Sequence, residues 1–409
     1  MEDTEGAALR KIGIIGGGQL GRMTIEEGRK YLAHIEVLTS EYPSPASEIA
    51  DAAHVGPLTD YESVLEFAEE ADVVSYEIEG VSVEALRELE RRGKPVLPAA
   101  GILEAIRDKQ EQKRVLAAAG IATARFALLD GDVPGRASVA AAAAALGGFP
   151  IVQKARFGGY DGRGVAVLES EDDARLLACP SFAEEKVDFE KELAVVVARS
   201  PDGGRAVFPC VEMVFDPRAN LCDSVLAPAR IGAARRAEAE ALALACVEAL
   251  CSASERSGSP PSGSAGVFGV EMFLARDGRV SVNEVAPRPH NSGHFGIEAC
   301  ASSQFDQYLR ILLGLPLGSA ELLRPAMMVN LFGEPGCGAG EPEYLGLEEA
   351  LAVPGVSIHL YGKREVRPFR KMGHLTALGA DVEEAVERAE RARTLIRIGA
   401  KPAPERGDE

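Results

Sequence analysis

The chain has 409 residues, 46% of them apolar and 26% charged, which is too long for one ordinary core because single cores stop growing near roughly 250–300 residues; two or three domains enclosing a site are expected. A formal charge of −19 excludes unspecific binding to nucleic acid or an anionic membrane, both of which need a positive field, and leaves any anionic substrate to a local cationic pocket or a metal. Seven cysteines without a C-x-x-C pair exclude a disulfide framework, and no apolar run has signal-peptide or membrane-spanning length, so a soluble cytoplasmic protein is expected.

In chain order, Lys11–Gly16 reads as a strand ending in glycines, Gln19–Lys30 as a helix and His34–Thr39 as a second strand. Strands at Ala71–Tyr76 and Pro95–Leu97, with a helix at Val83–Arg92 between them, extend this into a small parallel sheet. Asp108 then caps a charged helix that stops at Gly120, and a new domain begins there. An α+β lobe follows, with helices at Ala137–Leu146 and Asp172–Ala178 and a hairpin of Phe149–Lys154 and Gly164–Leu168 around a glycine-rich turn. Longer strands are expected at Glu192–Arg199, Ala206–Phe215, Gly266–Ala275 and Val280–Val285, with a helix at Arg235–Leu250. The Ser/Pro/Gly-rich residues 252–265 read as a mobile surface loop inserted before the next strand. Strands at Met327–Phe332, Val356–Gly362 and His374–Leu378 and a helix at Val382–Ile396 complete the chain.

Four segments carry chemistry. Gly16-Gly17-Gly18-Gln19-Leu20-Gly21 joins a strand to a helix, where glycines admit a phosphate and the helix N-terminus offers unpaired N–H groups. Glu41 lies twenty residues beyond Gly21, so a dinucleotide, another phosphate ligand and a purely structural turn all remain open. The second segment, from Lys154 through Arg156 and Gly158 to Gly164, is a glycine-rich loop that could fold over nucleotide phosphates, with Lys154 and Arg163 neutralising charge; a flexible hairpin tip is the alternative.

The third is the hairpin around Asp277-Gly278. With a two-residue turn there, residue numbers of paired positions sum to 555 and Glu271 faces Glu284. Carboxylates whose Cβ atoms lie about 4.5–5.5 Å apart destabilise a sheet unless a cation sits between them. Oxygen donors, with Asn283 as a third, point to magnesium or manganese; a glutamate turned to solvent is the alternative. The fourth combines Arg288, His290, Asn291, Ser292 and His294 with Lys363, Arg367, Arg370 and Lys371, either a phosphate-binding cluster or a solvated basic face.

The order of GGGQLGRM, the lid loop, EEKVDFEKELAVVVAR, NEVAPRPHNSGH and YGKREVRPFRKMGH resembles that of the N5-carboxyaminoimidazole ribonucleotide synthetases, over about Lys11–Ile396. The resemblance implies an N-terminal parallel α/β domain of the pre-ATP-grasp kind (1–107), a two-lobed α+β ATP-grasp domain (108–314, lid lobe about 125–190) and a small C-terminal domain (315–409). It implies ATP contacts at Lys109 and Lys154, in the lid at Gly159, Tyr160, Asp161, Gly162, Arg163, Gly164 and Val165, and along the adenine at Glu184, Glu185, Lys186 and Val187. Glu192 would bind the ribose, and Asn283 and Glu284 the nucleotide's metal with Glu271.

The second substrate, aminoimidazole ribonucleotide, would meet Gln19, Leu20, Glu77, His290, Asn291, Ser292, Lys363 and Arg370, with Asp161, Tyr160 and Arg288 closest to the chemistry. Bicarbonate, ATP and Mg2+ (or Mn2+) would be the other reactants, a homodimer the assembly, and a separate mutase the next enzyme. Another ATP-grasp carboxylate–amine ligase, a dinucleotide-binding oxidoreductase and a non-catalytic binding protein are the competing readings. Three departures stand out: Met213-Val214-Phe215 where relatives carry Asn-x-His, Phe369 where they carry glycine, and the 252–265 insertion.

Overall fold

The computed structural model describes residues 10–158, 164–216, 218 and 220–401. The N-terminal sheet is wholly parallel, in the order Ala52–Val55, His34–Thr39, Lys11–Ile15, Val73–Tyr76. Its central strand buries Ile12, Ile14 and Ile15 completely, as a strand covered on both faces must. Pro95–Leu97 contributes only a bridge, Val74 to Val96. The helix Val83–Arg91 starts where Ser82 accepts from the Ala85 N–H. Tyr61–Ala68, a helix not anticipated from sequence, starts in the same way at Asp60.

Asp108 caps the helix Lys109–Ala118 as expected, accepting from the N–H groups of Gln110 and Glu111. The next lobe is an antiparallel sheet ordered Phe126–Leu128, Ser181–Glu185, Ile151–Ala155, Val165–Leu168, backed by the helix Arg136–Leu146. The expected hairpin is present, with Ile151 opposite Leu168 and Lys154 opposite Val165. The helix expected over Asp172–Ala178 does not form. The Asp173 carboxylate instead accepts from the backbone N–H groups of Glu169 and Arg175 and from the Arg175 guanidinium, a local turn that competes with helix.

The large sheet runs Val280–Ala286, Gly266–Ala275, Phe189–Arg199, Val211–Asp216, Leu221–Ala227, Ala326–Phe332, Lys371–Leu378, Val356–Leu360, with Arg205–Val207 beside Phe189–Arg199. The single strand expected over 206–215 is divided at Pro209, which has no N–H to give a ladder. The C-terminal segment packs a core of its own around Leu331, Leu375, Ala385 and Ile398. It nevertheless continues the large sheet, through pairing of Ala326–Val329 with Ser224–Ala227.

Residues 252–265 lie at the surface in part, with Ser252, Ser257 and Ser262 exposed, but they are anchored rather than free: the helix Ala233–Arg256 runs through 252–256, and Ser254, Ser259, Ser264 and Ala265 are buried. The Ala99 N–H donates to the Gly263 carbonyl and the Gly101 N–H to Ser259 Oγ. Small hydroxylic residues are used here for close packing against the N-terminal domain, which composition alone does not reveal. Among the described residues no helix is long and apolar enough to cross a membrane.

Candidate active site

Glu271 and Glu284 do stand opposite each other, by a route other than the expected one. The turn is three residues long, Arg276 to Gly278: the Ala275 N–H donates to the Arg279 carbonyl at 2.9 Å, and Gly278 takes the left-handed conformation (φ +84°). That shifts the pairing by one residue, so that Met272 faces Val282. A bulge at Asn283 shifts it back before Glu284. The bulge thus restores the carboxylate pair and re-aims Asn283.

Lysines gather on one side of this pair. Lys109 donates to Glu284 Oε2. Lys154 Nζ lies 2.8 Å from Asn283 Oδ1 and 2.7 Å from Glu184 Oε2, and Lys113 Nζ lies 2.8 Å from Glu184 Oε1. Burial alone would raise the Glu184 carboxyl, but Lys154 and Lys113 together hold it below its ordinary value. Burial would likewise raise Glu284, and Lys109 and Lys154 outweigh it, so Glu284 stays ionised. Glu192 goes the other way, to about 7, because burial and the Glu271 charge outweigh Lys154.

On the other side, His290 Nε2 lies 3.2 Å from Glu271 Oε1, and its Nδ1 lies 2.8 Å from Ser292 Oγ. Ser292 is wholly buried and so supports the imidazole from behind. Asn291 and Asn330 exchange amide hydrogen bonds at 2.8 and 3.0 Å across to the C-terminal strand. Arg288 Nη2 pairs with Glu79 at 3.1 Å. Lys363 donates to the Lys371 carbonyl and Arg370 to that of Glu365.

The first glycine motif is not a dinucleotide cradle. The buried Glu77 carboxylate accepts from the N–H groups of Gly18 and Gly21, the place a pyrophosphate would take. A Cβ on Gly16 would stand 2.3 Å from Glu77 Cγ, so the glycine there makes room for this side chain. Burial raises the Glu77 carboxyl despite the two N–H donors. Glu41, the would-be ribose partner, is exposed. Gln19 opens the helix beside Glu77, while Leu20 packs with Met23, Phe305 and Tyr361, so a ligand contact from it would use the main chain.

Glu185 pairs with Arg125 at 2.7 Å, Lys186 is exposed and Val187 half-buried at the strand end, and Val165 is exposed at the base of the lid loop beside Gly164. The remaining lid residues, Gly159, Tyr160, Asp161, Gly162 and Arg163, lie outside the described residues. Lys113, Asn330 and Glu79 were not singled out from sequence. Only Lys113 left a signal there, four residues after Lys109 on the same helix face.

Comparison with known proteins decides the family. Residues 9–107 match the ribonucleotide synthetase preATP-grasp domain, 114–305 the ATP-grasp domain and 326–388 the phosphoribosylaminoimidazole carboxylase C-terminal domain. The N5-carboxyaminoimidazole ribonucleotide synthase of Synechococcus elongatus is 36% identical over 394 residues, covering 95% of this chain and 94% of that one. The chain belongs to the N5-carboxyaminoimidazole ribonucleotide synthase family. It is accordingly an ATP-grasp ligase.

Among solved structures, the N5-carboxyaminoimidazole ribonucleotide synthetase of Thermotoga maritima superposes with a TM-score of 0.84 at 42% identity, over 96% of this chain and 100% of that one. The synthase of Aspergillus clavatus, in complex with ADP and 5-aminoimidazole ribonucleotide, superposes with a TM-score of 0.83 at 34% identity, over 95% and 98%. Phe215 packs on the main core, and Phe369 sits at φ +61°, a conformation that favours glycine.

Proposed function

We propose that this ligase carboxylates the exocyclic amine of 5-aminoimidazole ribonucleotide with ATP and bicarbonate, giving N5-carboxyaminoimidazole ribonucleotide, ADP and phosphate in purine biosynthesis. The observation that carries this reading is the Glu271–Glu284 pair at the seam between lysines on one side and the His290 loop on the other. In this reading a bicarbonate oxygen attacks the γ-phosphorus, its bond to the ADP oxygen breaks, and carboxyphosphate forms. Loss of phosphate releases carbon dioxide next to the amine, which attacks the carbon and gives up one proton.

Lys109 and Lys154 would offset the phosphate charge, and Glu192, with its raised pKa, suits a hydrogen bond to a ribose hydroxyl. The facing glutamates fit a hard cation: they are oxygen donors, their repulsion calls for a counter-charge, and magnesium keeps water or phosphate oxygens in its other positions. Magnesium held by Glu271 and Glu284, with Asn283 beside them, would supply charge stabilisation at the transferring phosphoryl group. Arg288, His290, Asn291, Lys363 and Arg370 would receive the ribonucleotide, and Asp161 with Tyr160 on the lid would take the amine proton and exclude water. A cytoplasmic homodimer, followed by a separate mutase acting on the labile product, completes the proposal.

The test is ADP release from ATP, magnesium and bicarbonate, with and without 5-aminoimidazole ribonucleotide. Strong, bicarbonate-dependent stimulation is expected. ADP release indifferent to the ribonucleotide would send the search to other amines and refute this substrate.

A further inference from the structure

Gln304 opens the helix Gln304–Leu313, is completely buried, and lies outside every motif that carries the proposed reaction. Its side chain is nonetheless bound into the active-site loop by three hydrogen bonds. The His290 N–H donates to Gln304 Oε1 at 2.8 Å, and Gln304 Nε2 donates to the His290 carbonyl at 2.8 Å. The amide therefore pairs with both main-chain groups of one residue, as a neighbouring strand would. The His290 N–H can only donate, so the oxygen of the amide must face it and the nitrogen must face the carbonyl.

The second hydrogen on that nitrogen is directed at His294 Nδ1, 3.0 Å away. His294 is buried, and burial holds its pKa well below the ordinary value, so its neutral ring accepts at Nδ1. The loop is also wrapped tightly on the amide: a Cβ on Gly293 would stand 2.5 Å from Gln304 Oε1. Beyond the loop, the His294 ring lies 4.9 Å from that of His374, whose Nδ1 is 3.1 Å from the hydroxyl of Tyr361, which follows the strand Val356–Leu360 and precedes Lys363 by two residues. Through His294 the amide is thereby linked to His374 on the strand Lys371–Leu378, which opens with the basic residue Lys371.

We propose that Gln304 is the positioning residue of the ribonucleotide half of the active site: by clamping the main chain of His290 it aims that imidazole at Glu271 and holds the loop from Arg288 to Ser292 in its binding shape. Gln304 touches no reactant and acts through His290. The inference rests on the proposed function, because that reading makes this loop the receiver of the ribonucleotide.

The experiment is steady-state kinetics of Gln304→Glu, which keeps the shape but loses both donors, and of Gln304→Met, which keeps the volume and introduces no buried charge, beside the unaltered enzyme. KM for 5-aminoimidazole ribonucleotide should rise about tenfold or more, as loss of buried hydrogen bonds implies, while KM for ATP stays within about twofold. Equal changes in both constants would mark a merely structural residue and overturn the proposal, as would unchanged kinetics in a folded variant. If Gln304→Glu does not fold, the same outcomes are read from Gln304→Met; failure of both to fold would assign Gln304 to the core and overturn the proposal. Absence of ribonucleotide-stimulated ADP release in the unaltered enzyme would refute the functional reading itself, whereas stimulation there with no KM split in the variants sinks the Gln304 proposal alone.

Discussion

Replacing Glu192 by glutamine offers a test of the site's electrostatics that needs no turnover. Burial and the neighbouring Glu271 charge hold the Glu192 carboxyl at about 7, against 4.5 for an unperturbed glutamate. Between those two values the folded chain binds a proton that the unfolded chain has lost, so stability falls as pH rises through the window. Complete transfer of that difference would cost the ligand-free fold about 3 kcal/mol above pH 8, and water at the partly exposed carboxylate reduces this to about 1–2 kcal/mol. Glutamine imitates the protonated form. Glu192→Gln should therefore raise the melting midpoint at pH 8 by roughly 1–3 °C and leave it nearly unchanged at pH 4.5, both in chelator. Magnesium should shrink the gap by neutralising Glu271 and Glu284. An equal effect at the two pH values would show that the carboxylates around Glu192 do not act on it as described.

Three other changes probe separate parts of the site. Glu284→Gln removes half of the facing pair and the partner of Lys109, and a magnesium titration should find kcat lower by about 100-fold or more with the melting midpoint little changed. Lys113→Met leaves Glu184 with Lys154 alone; chemical denaturation should record a loss of about 3 kcal/mol, and KM for ATP should rise as Lys154 loses its fixed position. Phe369→Gly removes a left-handed backbone penalty of about 1–2 kcal/mol at φ +61° and adds glycine's entropic cost of about 0.5–1 kcal/mol. A small rise in the melting midpoint is expected, and a fall would mean that packing of the ring outweighs the backbone.

The sequence alone determined those features whose cause lies within a few residues or within one hairpin. Asp108 announces its helix because a capping carboxylate needs only the next three N–H groups. Gly266–Ala275 reads correctly as a strand from its apolar run. Glu271 was matched to Glu284 from the turn, although the three-residue loop and the compensating bulge at Asn283 were not visible, since each departs from ideal pairing by one residue and the two cancel.

Tertiary structure decided whatever depends on partners distant in the chain. Glu77 reaches 59 and 56 residues back to fill the N–H groups that looked ready for a phosphate, and no local pattern foretells that occupant. Ser254, Ser259 and Ser264 are buried, and Ser259 accepts from the Gly101 N–H of the N-terminal segment that lies against it. Glu184 is charged in the interior because Lys113 and Lys154 arrive from a helix and a strand of different lobes. Burial and pairing energies belong to the assembled surfaces, so the chemistry of these groups exists only once the lobes have met.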